Sequence, residues 1–434
     1  MRRNLLRTVI LVFSGLTVAL AALVLSTSPV DAQDGNSSVK GQLEAIDAAI
    51  REPVEGVLIV VEQDGVEVGT ANSAADGSWE IPVPAGGVYQ VTLDVDSLPD
   101  GVAPTDPATM SLDDVSVRDG QNKTVRFNLG AGVTSAVSEF ERFKDLVIVG
   151  LKLGAIIALA AVGLSLVFGV TGLVNFAHGE LITLGAVLAY FFHVSDSGPG
   201  WPLLVAAIPA MILTAGFGAA NDLALWRPLR RRQTGAVAML VISIGLSFAV
   251  RNLVLVIFGG EPRNYDDFLI QDEWSFLGFS TPPKNLIIIG TAVVILGAVG
   301  LFLQRTRAGV AVRAVADNKD LAESSGIDVN RVILITWVLG AGLASLSGIF
   351  LGVSEQIQWD AGFKILLLIF AAVVLGGLGT AFGAMLGGFV IGLSVEVSTF
   401  WIPTELKNAV ALGLLIIMLL WRPQGLLGTR ERIG

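Results

Sequence analysis

Polar and ionisable side chains are thinly spread over the last two thirds of this 434-residue chain, so the few that interrupt apolar runs carry most of the chemical information. One group is Asn175, His178 and Glu180, set among glycines between two apolar stretches. Such interruptions are costly in lipid unless they line a cavity or a helix contact. Asn175 could instead cap the following helix, with Glu180 in its first turn, where the helix dipole favours an acid. A second group is Arg251 beside Asn252, inside an apolar run. A charge there costs roughly 2.5–3.5 kcal/mol on insertion scales. It faces a pathway or partner helix, or else reaches an interface. A third is the polar stretch 307–326, with Arg313, Asp320, Ala322 and Gly326. It is helix-forming to Ser325, and Gly326 is placed to stop the helix. Alanines on one side and charges at both ends suit docking into a partner's groove, or a solvated loop helix.

Other chemistries are missing. Cysteine is absent, and the only histidines, His178 and His193, lack zinc-ligand spacing. No GxxxxGK[ST] phosphate loop occurs. With no nucleophile, base pair or metal constellation, the expectation is a chain with no catalytic residues, no metal and no bound cofactor.

Hydrophobic residues make up 53% of the chain, with 50 glycines besides, and charged residues only 15%. Soluble domains hold about 45–50% apolar residues, glycine included, so the excess must face lipid. Charge is unevenly placed. Residues 33–145 carry 20 acidic and seven basic side chains, whereas 146–434 carry 17 and 18. Nucleic-acid binding, which needs a basic face, is disfavoured. Residues 1–32 have the charged start, apolar run and small-residue site of a secretory signal, or of an uncleaved anchor. The next segment is exported in either case.

Residues 33–130 are expected to form a small exported all-β sandwich of six or seven strands. Tyr89 to Asp96 alternates with the period of a half-buried strand, as do Trp79, Ile81 and Val83. Asp76-Gly77 between strand-like runs predicts a hairpin turn. Asp76, Gly77, Trp79, Gly87 and Tyr89 together resemble the carboxypeptidase regulatory-like, transthyretin-type sandwich, which implies no catalytic residues. Residues 131–145 are a short polar linker.

From residue 146 the chain is expected to be a polytopic α-helical membrane domain, 146–434, of about nine spans, some broken. Candidates lie near 146–168, 173–193, 202–225, 234–258, 284–304, 332–353, 363–380, 383–398 and 406–421, the eighth short enough to be re-entrant. Arginine clusters after the third, fifth and last spans belong in the cytoplasm by the positive-inside rule. The acidic loop 259–283 then lies outside and the C-terminus inside. A glycine-dense break, Gly376 to Gly388, marks either close helix packing or a discontinuous helix on a transport route.

Four motifs lie in one order: Leu159 to Glu180; Arg313-Ala-Val-Ala with Ala322-x-x-x-Gly326-Ile-x-x-x-Arg331-Val; Val374-Leu-Gly-Gly-Leu-Gly379; and Arg422-Pro-Gln-Gly425-Leu-Leu-Gly428. Over roughly residues 146–430 they resemble the permease subunits of branched-chain amino acid ABC importers. The resemblance implies a bacterial cytoplasmic-membrane protein that pairs with a second, homologous permease. It also implies two cytoplasmic ATPase subunits that bind ATP-Mg, and an extracytoplasmic binding protein. Arg313, Asp320, Ala322 and Gly326 then fall on the helix that couples permease to ATPase, with Asp320 where glutamate is usual. Related permeases for urea and short amides share the first motif and are the alternative. The N-terminal 145 residues are not part of the family core.

Overall fold

The computed structural model describes residues 37–47, 50–63, 65–99, 102–104, 110–117, 122–125, 127, 129–131, 139–194, 198–265, 274–276, 279–422 and 424–428. The signal-like segment 1–32 lies outside the described residues, as do Asp266, Asp267, Asp272 and Glu273 of the acidic loop. The chain divides into two compact units, Ser28–Ser138 and one containing Glu139–Gly434.

In the first unit the described strands are β1 (Ser37–Gln42), β2 (Glu44–Asp47), β3 (Ile50–Pro53), β4 (Leu58–Gln63), β5 (Val66–Asn72), β6 (Ser78–Val83), β7 (Gly87–Leu93), β8 (Val102–Pro104), β9 (Ser111–Val117), β10 (Asn122–Val125) and β11 (Leu129–Ala131). They form three small sheets, ordered β10-β1-β6, β3-β2-β11-β8 and β5-β4-β7-β9. The period-2 pattern does what it predicts: Trp79, Ile81 and Val83 on β6 and Tyr89, Val91 and Leu93 on β7 point into one core with Val39, Ile59 and Val61. The Asp76-Gly77 hairpin is corrected. β6 pairs with β1 (Val39 opposite Ile81), and β5 pairs with β4, so this turn carries the chain between two sheets. Gly77 is required there by a φ of +76° and by the closeness of the Leu43 carbonyl. Asp76 Oδ1 accepts from the Ser78 hydroxyl and amide, which holds its carboxyl below the usual range.

The second unit is helical: α1 (Glu139–Thr171), α2 (His178–His193), α3 (Leu203–Asn221), α4 (Arg227–Arg231), α5 (Ala236–Phe258), α6 (Pro283–Arg305), α7 (Arg307–Asp317), α8 (Lys319–Ser324), α9 (Val329–Ser354), α10 (Ala361–Gly376), α11 (Ala381–Ser398) and α12 (Lys407–Trp421). A π-turn over Asp222–Trp226 joins α3 to α4, and a two-stranded ribbon, β12 (Trp274–Phe276) and β13 (Phe279–Thr281), precedes α6. Among the described residues six helices have the length and composition to cross a membrane, including Leu203–Arg231 as one continuous run; Ala361–Gly376 and Lys407–Trp421 are apolar but shorter. Among the described residues, length and composition thus support six crossings, and the nine expected are not confirmed.

α1 runs through the middle of this unit, and from Ala155 to Val162 every side chain is buried. Glycines let its neighbours approach. Gly388 and Gly392 of α11 meet the backbone of Ala158 and Gly154, and Gly163 meets Gly340 of α9. This small-residue packing replaces a water-driven core. The first seven helical residues of α1 lie in the segment expected as linker. The eighth span, expected to be re-entrant or broken, is one unbroken helix of 18 residues, α11. The breaks fall instead before α2 and α10, each of 16 residues.

Candidate functional site

α1 ends where Thr171 turns its hydroxyl back to Val167 O and Gly172 adopts φ +66°. The chain then doubles back without helix, so α2 begins at His178 rather than near 173, where the second span is expected. His178 Nε2 lies 3.0 Å from Ala160 O, eleven residues before α1 ends. A carbonyl only accepts, so Nε2 carries the proton. Asn175 Oδ1 accepts from Ala177 N at 3.1 Å, and its carbonyl accepts from His178 N. The expected cap is therefore corrected: Ala177 holds the N-cap position, without a side-chain cap, and Asn175 braces the turn before it.

Glu180 sits in the first turn of α2, as expected, but its carboxylate leaves its own helix. Oε1 accepts from Ser247 Oγ of α5 at 2.7 Å; Oε2 is buried with no hydrogen-bond partner among the described residues. Glu180 is 1% exposed and Arg251 6%. Ser243, Ser247 and Arg251 recur every four residues, so they share one face of α5 and form its buried polar stripe. Ser243 Oγ accepts from Phe176 N at 3.2 Å. The Arg251 guanidinium lies over the rings of Phe248 at 4.6 Å and Phe363 at 4.0 Å, a cation–π sandwich that offsets part of its desolvation. The structure thus brings Asn175, His178, Glu180 and Arg251 into one region. It leaves Asn252 apart, exposed, with Nδ2 donating to Phe248 O of its own helix.

α10 begins against α2. Gly362 N donates to Thr183 Oγ1 at 3.0 Å, and Gly179 and Gly362 meet backbone to backbone. Two helix N-termini therefore face the same layer as Glu180 and Arg251, and each carries a partial positive charge. The later glycines pack: Gly376 meets Gly383, and Gly387 meets Ala372. The closing motif completes that end. Leu426 N and Leu427 N donate to the Leu375 and Gly376 carbonyls, which α10 leaves without partners as it ends.

The polar stretch 307–326 is two helices, not the one expected. Thr306 caps α7 through Gly309 N, and Asn318 breaks the run and caps α8 through Leu321 N. Gly326, at φ +85°, ends α8 as predicted, with Ile327 N donating to Ala322 O. Ala322 is buried, which anchors α8, while Arg313, Asp320 and Gly326 are exposed. Val310 and Leu321 add exposed apolar surface to the same pair of helices.

Sequence reasoning missed Ser243, Ser247 and Thr183, although the four-residue spacing from Ser243 to Arg251 was a readable signal. It also missed Asp222, fully buried in the π-turn and paired with Arg230 at 2.6 Å. Among the described residues no group of three or more His, Asp or Glu is placed to hold a metal ion.

A helical unit with six membrane-length apolar helices among the described residues, and with His178, Glu180 and Arg251 buried where two short helices begin, is a multi-pass membrane protein of the transport type. The chain belongs to the family described as branched-chain amino acid transport system, permease component, which it matches over residues 146–419. It is 32% identical to the high-affinity branched-chain amino acid transport system permease protein LivH of Escherichia coli K12, over 310 residues covering 68% of this chain and 98% of that one. The corresponding protein BraD of Pseudomonas aeruginosa is 32% identical with the same coverage. The ribose import permease protein RbsC of Escherichia coli K12 is 30% identical over 54% of this chain and 72% of its own. No solved structure matches.

Proposed function

We propose that this chain is one permease subunit of an ATP-driven importer that moves branched-chain amino acids across the bacterial cytoplasmic membrane by alternating access. The observation that carries this is the alignment with branched-chain amino acid permeases over 98% of their length. Those relatives do not favour urea or short amides as the substrate. ATP-Mg is bound and hydrolysed by two separate ATPase subunits, and this chain supplies half the path beside a second, homologous permease. A loaded extracytoplasmic binding protein docks outside. Inside, α7 and α8 dock into an ATPase groove, with Val310 and Leu321 as apolar contacts and Arg313 and Asp320 at the rim; Gly326 ends the coupling element and Ala322 ties it to the bundle. The separate capping of the two helices supports that role, because a rigid element transmits a push. Asn175, His178, Glu180 and Arg251 belong to the path layer, and Asn252 faces the partner permease or lipid.

In this assignment residues 1–32 are the export signal, 33–130 an extracytoplasmic carboxypeptidase regulatory-like sandwich, 131–145 a linker and 146–434 the permease domain. The buried alternation of β6 and β7 supports the sandwich. The six membrane-length helices, the two shorter apolar helices Ala361–Gly376 and Lys407–Trp421, and α2 would together make nine crossings and put the C-terminus in the cytoplasm. The test is uptake of labelled leucine in cells with and without this gene, with isoleucine, valine, urea and acetamide as competitors. Loss of uptake on deletion, with competition by the aliphatic amino acids only, is the expected result. Unchanged leucine uptake with a defect in urea or amide uptake overturns the substrate.

A further inference from the structure

The segment 355–360 joins α9 to α10. It is pinned at Ile357, whose N–H and C=O bond to Arg263 at 2.7 and 3.0 Å. Beside it is a hollow of about 390 Å³, within the range of roughly 300–1,000 Å³ for small-ligand sites. Its lining divides by chemistry. Glu355 brings a carboxylate and Lys364 an ammonium, with the Gln358 amide beside it, while buried Leu351, Ala361 and Ile365 form an apolar floor. The Lys364 ammonium bonds Gln358 Oε1 and lies 3.0 Å from Asp360 Oδ1. An ammonium has three hydrogens, so these contacts leave one for a ligand acceptor.

The lining offers the Glu355 carboxylate, the remaining hydrogen of a Lys364 ammonium that Asp360 flanks, and an aliphatic floor, a set that complements a zwitterion with an aliphatic side chain. An inorganic anion would use Lys364 alone. A dicarboxylate would meet Glu355 with like charge, and a sugar would leave the floor unmatched. The location fits a route. The hollow lies at the end of α9 opposite α7 and α8, about 39 Å away for 26 residues. The first turn of α10 continues from Lys364 to Phe363, which packs under Arg251 at 4.0 Å, and to Gly362, which bonds Thr183. One helical turn of α10 thus links the lining of the hollow to the buried Glu180–Arg251 layer.

We infer that this hollow is a receiving subsite of the permease itself for the zwitterionic head and aliphatic side chain of its amino acid. Glu355 takes the ammonium, Lys364 the carboxylate, and Leu351, Ala361 and Ile365 the side chain. This rests on the importer assignment above. The test is saturation-transfer NMR of L-leucine on the full-length chain in nanodiscs, without binding protein. Leucine gives a signal that valine displaces; leucinamide, isocaproate and glycine, which lack the carboxylate, the ammonium and the side chain, compete at least tenfold less well. Glu355→Gln and Lys364→Met each weaken leucine binding at least tenfold. Both positions are exposed, so matched thermal unfolding is expected. Equal competition by leucinamide or isocaproate, unchanged binding by both variants, or no leucine signal at millimolar concentration overturns the subsite. Leucine uptake that survives deletion of the gene overturns the importer assignment instead. Uptake that depends on the gene, with no binding in nanodiscs, removes the subsite alone.

Discussion

Ser247→Ala isolates the bond that joins α5 to α2. Serine donates to Glu180 Oε1 at 2.7 Å, and Oε2 has no partner among the described residues. Removing the hydroxyl leaves both oxygens of a carboxylate that is 1% exposed without that donor. A hydrogen bond to a charged group contributes about 1.5–3 kcal/mol, so a loss of about 2 kcal/mol is expected. That corresponds to roughly 30-fold in the unfolding equilibrium. Alanine keeps Cβ, and the missing atom is one oxygen, so packing adds little. The control is Glu180→Gln, which keeps an acceptor for Ser247 but no charge; there the same serine removal costs about 1 kcal/mol. The cycle thus predicts a coupling of about 1 kcal/mol between the two positions. The assay is reversible denaturation of the full-length chain in mixed micelles, followed by tryptophan fluorescence, for wild type, both single variants and the double. Additivity to within about 0.5 kcal/mol would refute the reasoning, because residues that share a buried bond do not behave independently.

Gly388→Leu forces a side chain into the backbone of Ala158 and should abolish folded protein in the membrane fraction, whereas Gly245→Leu, whose Cβ meets nothing within 4 Å, should leave the folded yield unchanged. Arg251→Ala should cut leucine uptake at least tenfold at equal membrane abundance; unchanged assembly and uptake would remove this residue from the path. Gly326→Ala places a Cβ at φ +85° and should loosen the end of α8 by about 1 kcal/mol, while Gly326→Pro should lose the co-purified ATPase. The Asp76 carboxyl should titrate below its ordinary value of 3.8, with Ser78→Ala raising the midpoint in a ¹³C NMR titration of the full-length chain. The folded value is the depressed one, so the turn gains from Asp76 above the ordinary carboxylate pKa. That gain is lost as pH falls through the lowered value.

Where one physical rule dominated, the sequence was legible. The alternation of Trp79, Ile81 and Val83 appears as burial on β6, because period 2 has one solution on a sheet. Gly326 ends α8 because few other residues tolerate that φ. The rule failed where two signals competed. Asp76-Gly77 has the residues of a hairpin turn, but strand pairing is decided by partners distant in sequence, and β6 takes β1. The stretch 307–325 reads as helix-forming throughout, yet Asn318 offers its side chain to Leu321 N and so splits the run. Asn175 had the right residue type for a cap, two positions too early. The partners of Glu180 were hidden because a serine 67 residues away carries no mark of its destination; only its spacing with Ser243 and Arg251 betrays a face.

The break before α2 and the break before α10 also explain why the ionisable groups are where they are. A continuous helix bonds all its amides internally and offers a charge no backbone donor or acceptor in lipid. A helix that begins inside the bundle leaves its first amides without partners and carries positive potential at that end. α2 and α10 both begin so, at His178 and Ala361, and meet at Gly179 and Gly362, with Thr183 bonded to Gly362 N and Glu180 one residue away from the junction. The Glu180 carboxyl thus lies beside two helix ends as well as the donor Ser247. Arg251, held between Phe248 and Phe363, is bound to that junction through the first turn of α10. Any movement of α10 relative to α2 therefore changes the surroundings of Glu180 and Arg251 together.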